Sequence, residues 1–174
     1  MKTDLRWALA AAPLLLLAAC DDAPKVDKRA GEAKQLTAGA YEVSAKLDTL
    51  AKADKEAPAT TAKVGDMTTL KGCVAADGTP DATLFIEPGD VCKPTQSYSS
   101  GAILNIQYNC QRKGKSGSVN YSIDGQFTAD GFTAKVTTGT SFISPDDYVA
   151  NRSLTGKRVG NCPAAVAAGA PAKA

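Results

Sequence analysis

Histidine is absent from all 174 residues, and the single tryptophan, Trp7, sits near the N-terminus. Without histidine there is no Ser-His-Asp or Cys-His pair, and no imidazole to hold a metal. The five cysteines include no C-x-x-C pair, which removes the zinc knuckle and the dithiol redox motif. Excess charge of one sign is lacking too. Twenty basic residues face 18 acidic ones, so no polyanion footprint is visible and no nucleic-acid partner is expected. Adjacent carboxylates occur only at Asp21-Asp22 and Asp146-Asp147, and no S-x-x-K motif opens a helix. Nucleophile, base and orienting group are therefore not available as a set, and the chain reads as a non-enzyme with no cofactor and no metal site.

Long apolar runs are missing with one exception, residues 7–19, an uncharged stretch of 13 residues behind Lys2 and Arg6. That is too short for a bilayer-spanning helix, which needs roughly 20 apolar residues. A cationic start, a short apolar run and the small-residue ending Leu17-Ala18-Ala19-Cys20 read as a bacterial lipoprotein signal rather than an ordinary secretory peptide cut at an Ala-x-Ala-like site. Cleavage before Cys20 would place lipid on its thiol and new amine. Two or more acyl chains, at about 0.8 kcal/mol per buried methylene, hold a membrane stably where one does not. Asp21 directly after the cysteine resembles the signal that keeps lipoproteins at the inner membrane of enteric bacteria. The expected location is the cell envelope, lipid-anchored and facing the periplasm, with the inner membrane favoured over the outer.

Lys2, Arg6 and Asp4 leave with the leader, so 18 basic and 17 acidic residues remain in the mature chain. Residues 20–38 are polar and charged with almost no apolar periodicity, which suits a lipidated tether. Residues 164–174 form a Pro/Ala/Gly tail with no face to bury, so they are expected to be disordered. One folded domain of residues 39–163 lies between them. Its four cysteines, Cys73, Cys92, Cys110 and Cys162, are an even number in an exported chain and imply two disulfides.

Within this domain the dominant period is two, the mark of half-buried strands. Tyr41, Val43, Ala45 and Leu47 alternate with polar residues, and residues 48–66 then lose the pattern, as an exposed loop or frayed helix would. Residues 67–74 resume as a strand, and residues 82–87 form a short apolar piece stopped by Pro88-Gly89-Asp90. Leu104, Ile106, Tyr108 and Cys110 share one strand face; residues 111–117 then make a basic turn whose Arg112, Lys113 and Lys115 could touch anionic headgroups but are expected to be a solvated hairpin tip. Val119, Tyr121 and Ile123 alternate again. Asp124-Gly125 and Asp130-Gly131 are hairpin signals, because both central residues of a type I′ turn need positive φ. A turn at residues 130–131 opposes Ala129 to Phe132 and Phe127 to Ala134. Ser144-Pro145-Asp146-Asp147 resembles a helix start, with a turn or two to follow through Tyr148, and the acids suit the positive end of its dipole. A last strand carries residues 154–159 into Cys162. The fold class is mainly β: an antiparallel meander, curled toward a barrel or folded as a sandwich, with at most one short helix.

The disulfide pairing expected is Cys92 to Cys110 and Cys73 to Cys162, one of three connectivities. A turn at Ser100-Gly101 pairs residues whose numbers total 201, or 202 with a three-residue loop or bulge, and 92 and 110 total 202. The second pair follows by elimination.

Gly39-x-Tyr41-Glu42-Val43, Cys73-Val74, Leu84-Phe85, Gly89-Asp90-x-Cys92, Cys110, the run Gly125-Gln126-Phe127-Thr128-x-Asp130-Gly131-Phe132 and the closing residues 156–163 form an ordered set. Together they resemble the bacterial family known as domain of unknown function 3617 (DUF3617), whose members often carry secretion or lipoprotein signals. Tyr41 stands where a tryptophan is common in that family, and residues 48–66 are enlarged. The resemblance supports the boundaries and the four cysteines and implies no activity.

Lys157 and Arg158 are the candidate anion contact, since two cations on a terminal strand could hold a carboxylate or phosphate. The plainer expectation is that they point to opposite faces, one solvated and one bracing the strand. The function expected is a membrane-anchored, non-enzymatic β-domain acting through contact with another envelope protein. The alternative is a carrier or sensor of a small apolar ligand, since a curled sheet can enclose one. The large side chains on the core faces argue for a filled interior; a ligand-sized cavity would favour the alternative.

Overall fold

The computed structural model describes residues 33–163. Seven strands make one antiparallel sheet: β1 (Gly39–Lys52), β2 (Met67–Val74), β3 (Asp90–Ser100), β4 (Ile103–Arg112), β5 (Gly117–Thr128), β6 (Gly131–Phe142) and β7 (Tyr148–Gly160). A single 3-10 turn, Ala82–Leu84, is the only helical element among the described residues. The order across the sheet is β2-β1-β7-β6-β5-β4-β3. Strands β3 to β7 are therefore a meander, and the β1–β2 hairpin docks on β7. The sheet curls into a half-barrel, one of the two architectures left open by the sequence.

Alternation explains the curl's inner face. Leu104, Ile106, Tyr108 and Cys110 of β4, with Val119, Tyr121 and Ile123 of β5, are buried on it. Their neighbours on the outer face pair across strands, Asn105 with Asp124 and Asn109 with Asn120, so that polar groups facing water also tie the sheet. Because β2 and β3 are opposite edges, the segment joining them must cross the open side of the half-barrel. Residues 75–89 do so, and Leu84, Phe85 and Ile86 plug the concave face. Phe85 meets Phe132 at a ring-centroid distance of 5.3 Å.

Several details depart from the sequence expectations. β1 runs to Lys52 rather than stopping at Leu47: Asp48 is a bulge against β7, which shifts the alternation by one and hides the strand's continuation. Residues 53–66 are irregular, with no helix. Leu36, placed by composition in the tether, is fully buried in the core, and Thr37 N–H donates to Ala129 O at 2.7 Å. Asp124-Gly125 is not a turn; Gly125 lies within β5 opposite Ala134 and Leu104, where a Cβ would collide with β6 backbone. The β5–β6 turn is centred on Ala129-Asp130, pairing Phe127 with Phe132. The register is thus two residues from expectation, which keeps Phe127, Phe132, Ala134 and Val136 on the predicted face and leaves Ala129 exposed in the turn. Positive φ at both central positions occurs instead at Gly101-Ala102, between β3 and β4 (61° and 66°). Residues 144–147 form a bend, not a helix, and Tyr148 opens β7, since its alternation with Ala150, Arg152 and Leu154 suits a buried strand face.

Cys92 lies opposite Cys110, and the pair is bonded; a bulge between Pro94 and Gln96 brings the turn-proximal register into line with it. Cys73 bonds Cys162, stapling β2 across β1 to the chain just past β7.

A candidate binding cleft beside two inward-facing arginines

Two arginines occupy positions that alternation reserves for core residues. Arg112 extends the inward series Leu104, Ile106, Tyr108, Cys110, and Arg152 sits between Ala150 and Leu154. A buried cation costs several kcal/mol unless paired and hydrogen-bonded. Arg112 is fully matched. It faces Asp90 across the β3–β4 ladder, and its Nε and Nη2 donate to the two Asp90 oxygens at 2.8 Å each. Its Nη1 donates to Tyr148 Oη at 2.7 Å, and Nη2 also reaches Glu87 Oε2 at 2.6 Å. Tyr121 Oη donates to Asp90 Oδ2 at 2.5 Å. Hydrogen bonding to Asp90 raises the Arg112 pKa still further above its ordinary value, so the cation is permanent. Burial, and then the Glu87 charge, pushes the Tyr121 and Tyr148 phenols upward, so both stay protonated donors.

Arg152 is treated differently. Its side chain is 7% exposed, yet Nη2 has only long contacts, to Phe85 O and Thr138 Oγ1 at 3.4 Å each. Nη1 stands 4.0 Å from Glu87 Oε1, and Nε has no hydrogen-bond partner among the described residues. The guanidinium also lies over the Tyr121 ring at 5.8 Å.

Arg152, Glu87 and Tyr148 form the polar end of a cleft of about 350 Å³. Leu47 and Leu50 of β1, Leu70 of β2 and Ala150 of β7 supply its apolar wall, and residues 60–62 with Asp66 and Pro88 close its sides. Irregular residues 53–66 hold this side because Ala59 and Ala62 pack on the small cluster of Leu47, Tyr148 and Ala150. The volume is at the lower end of small-ligand pockets, roughly 300–1,000 Å³, and an apolar wall with a few placed polar groups is their usual composition. The arrangement can hold and orient a ligand by hydrogen bonds from charged and phenolic donors.

The residues singled out from sequence are not gathered in this cleft. Lys157 is exposed, while Arg158 Nε donates to Ala38 O and Nη2 to Asn161 Oδ1, both at 3.0 Å, so Arg158 braces the terminal strand. Asp147 accepts from Phe142 N–H and Thr140 Oγ1, and Asp146 from Ser144 and Lys115, so both carboxylates organise the β6–β7 bend. Arg112 is not a solvated hairpin tip but the centre of the polar cluster; Lys113 is exposed, and Lys115 pairs with Asp146. Cys20, Asp21 and Asp22 lie outside the described residues. Arg152 and Glu87 are not among the residues that the sequence singles out. The inward alternation of Tyr148, Ala150 and Leu154 would have exposed Arg152 as a core-facing cation, whereas Glu87 becomes visible only once the crossing segment is placed. Among the described residues there is no group of three histidine, cysteine, aspartate or glutamate side chains able to hold a metal ion.

The fold and cleft define a curled, disulfide-stapled β half-barrel with an ordered polar cluster at one end of its concave face. Residues 36–162 match the family model described as Protein of unknown function (DUF3617), and the chain belongs to that family. No curated protein and no solved structure matches the chain.

Proposed function

We propose that this chain is a lipid-anchored protein of the bacterial cell envelope, facing the periplasm, whose β-domain binds a small apolar ligand without transforming it, as a carrier or sensor. The observation that carries the binding half is the 350 Å³ cleft with an apolar wall and a buried, under-partnered arginine. The anchoring half rests on the leader ending at Leu17-Ala18-Ala19-Cys20. Purification of the chain from membranes, organic extraction and mass spectrometry should recover a bound small molecule. Leu50→Trp, which fills the cleft, should come out empty. A fatty-acid probe should label the wild type and not Cys20→Ala, and fractionation should find the protein in the inner membrane. Extracts identical for wild type and Leu50→Trp would remove the carrier reading.

A second reading, contact with an envelope protein, is favoured by β3, an edge strand among the described residues, where Val91 and Tyr98 are 75% and 52% exposed. An open edge with apolar side chains is a template for strand pairing. A photo-crosslinker at Tyr98 in intact envelopes tests it.

A further inference from the structure

We infer that the cleft selects ligands whose head is an uncharged amide on an apolar body, and rejects acids and amines of the same length; this rests on the cleft being a binding site. Arg112 and Arg152 face Glu87 and Asp90 in one cluster, so its formal charges balance. Arg112 and Asp90 satisfy each other with two short bonds, which leaves Arg152 and Glu87 as the pair open to the cleft. These two are 4.0 Å apart at their nearest atoms, beyond hydrogen-bond reach, and each retains unused capacity: Arg152 donors with no short contact, and Glu87 Oε1 as an acceptor.

A group completing both needs an acceptor for Arg152 and a donor for Glu87. An amide carries them side by side, carbonyl and N–H, with no net charge. A carboxylate could accept from Arg152 but would bring a third anion against Glu87 Oε1 and Asp90, with Asp66 also lining the cleft. An ammonium group could donate to Glu87 but would sit against the Arg152 cation. Arg152 and Asp90 are 7% and 1% exposed and Glu87 27%, so a mismatched charge is only partly screened there and binds less tightly than the neutral head. The apolar wall of Leu47, Leu50, Leu70 and Ala150 takes the hydrocarbon chain.

Equilibrium dialysis with radiolabelled octanamide, octanoate and octylamine tests this, using the full chain in phosphatidylcholine nanodiscs and protein-free nanodiscs as blanks. Octanamide should bind at least about tenfold more tightly than either charged analogue, a difference of about 1.4 kcal/mol. Arg152→Met should erase that preference. Because that variant loses its contacts to Phe85 and Thr138, the wild-type ranking stands as an independent measurement, and Leu50→Trp should abolish binding of all three. Octanoate or octylamine binding as tightly as octanamide, with Leu50→Trp blocking it, would overturn the amide inference and leave the cleft reading intact. Absence of binding by any probe, or binding that survives Leu50→Trp, would overturn both.

Discussion

Replacing Arg112 by methionine removes the cation at the centre of the polar cluster while keeping much of its apolar stem. Asp90, whose side chain is 1% exposed, would lose both guanidinium bonds and keep only the Tyr121 hydroxyl. Glu87 is 27% exposed and can turn to water; an ion pair at that exposure is worth about 0–1 kcal/mol. The Asp90 half therefore dominates, and stripping one partner from a buried pair costs about 3–5 kcal/mol. Against a total stability of about 5–15 kcal/mol that is a large share. It should lower Tm by roughly 10–20 °C for a domain of this size. Urea unfolding followed by circular dichroism gives the free energy, and Asp90→Asn with the double variant completes a cycle. Once Asp90 is neutral, losing Arg112 should cost less, leaving a coupling of about 1–3 kcal/mol. A cost below about 1 kcal/mol for Arg112→Met, or strict additivity in the double variant, would refute the buried-pair account.

Replacing both cysteines of the Cys73–Cys162 bridge should destabilise more than replacing Cys92 and Cys110, because sequence separations of 89 and 18 correspond to about 4–5 and about 3 kcal/mol of loop-closure entropy; denaturant titration of the two double variants gives the order. Burial raises the phenols of Tyr41 and Tyr108 to about 12 from an ordinary value of 10.0. Between pH 10 and 12 the unfolded chain loses these protons while the folded one keeps them, so stability should be unaffected by them below pH 10 and fall from 10 to 12. Tyr108→Phe should blunt that fall in a pH series of urea midpoints. Gly156→Ala should cost about 1–3 kcal/mol by overpacking, since the new methyl meets the Phe132 ring, itself wedged between Phe85 and Tyr41; a thermal melt checks it.

Period-two alternation made β1, β4, β5, β6 and β7 legible in whole or part, because one buried and one wet face leave a repeating signature; β2 was legible as a strand but not by its face, since its burial does not alternate. β3 was the hardest to see as a strand: as an edge, exposed on nearly every residue from Lys93 onward, it has no buried face to alternate. The Cys92–Cys110 pair was nevertheless recoverable from the cysteine numbering, although the turn lies at Gly101-Ala102, one residue past the expected Ser100-Gly101, and the bulge between Pro94 and Gln96 restores the total of 202. Turn chemistry misled three times, first at Asp130-Gly131, where the turn centres one residue earlier on Ala129-Asp130. Asp124-Gly125 carries a hairpin signal, yet its glycine serves close packing, and Ser144-Pro145 carries a helix-start signal where Asp147 instead caps β-backbone at Phe142. The cleft was hidden for a different reason. Its wall comes from β1, β2, β7 and the crossing segment, and no local pattern encodes that meeting.

The placement of β2 and β3 at opposite edges has a consequence for the order in which cysteines meet an oxidant. Of the four domain cysteines an emerging chain presents Cys73 and Cys92 first, yet neither is the other's native partner. Cys92 must wait for Cys110 and the β3–β4 hairpin, which closes locally. Cys73 must wait for Cys162, after β1 has found β7 across more than a hundred residues of chain. Pairing over such separations is slow. Strictly sequential oxidation would trap a Cys73–Cys92 bond, and thiol exchange to release it takes seconds to hours. Maturation of this protein should consequently lean on a disulfide isomerase rather than an oxidase alone, with the β1–β7 seam the last part of the sheet to close.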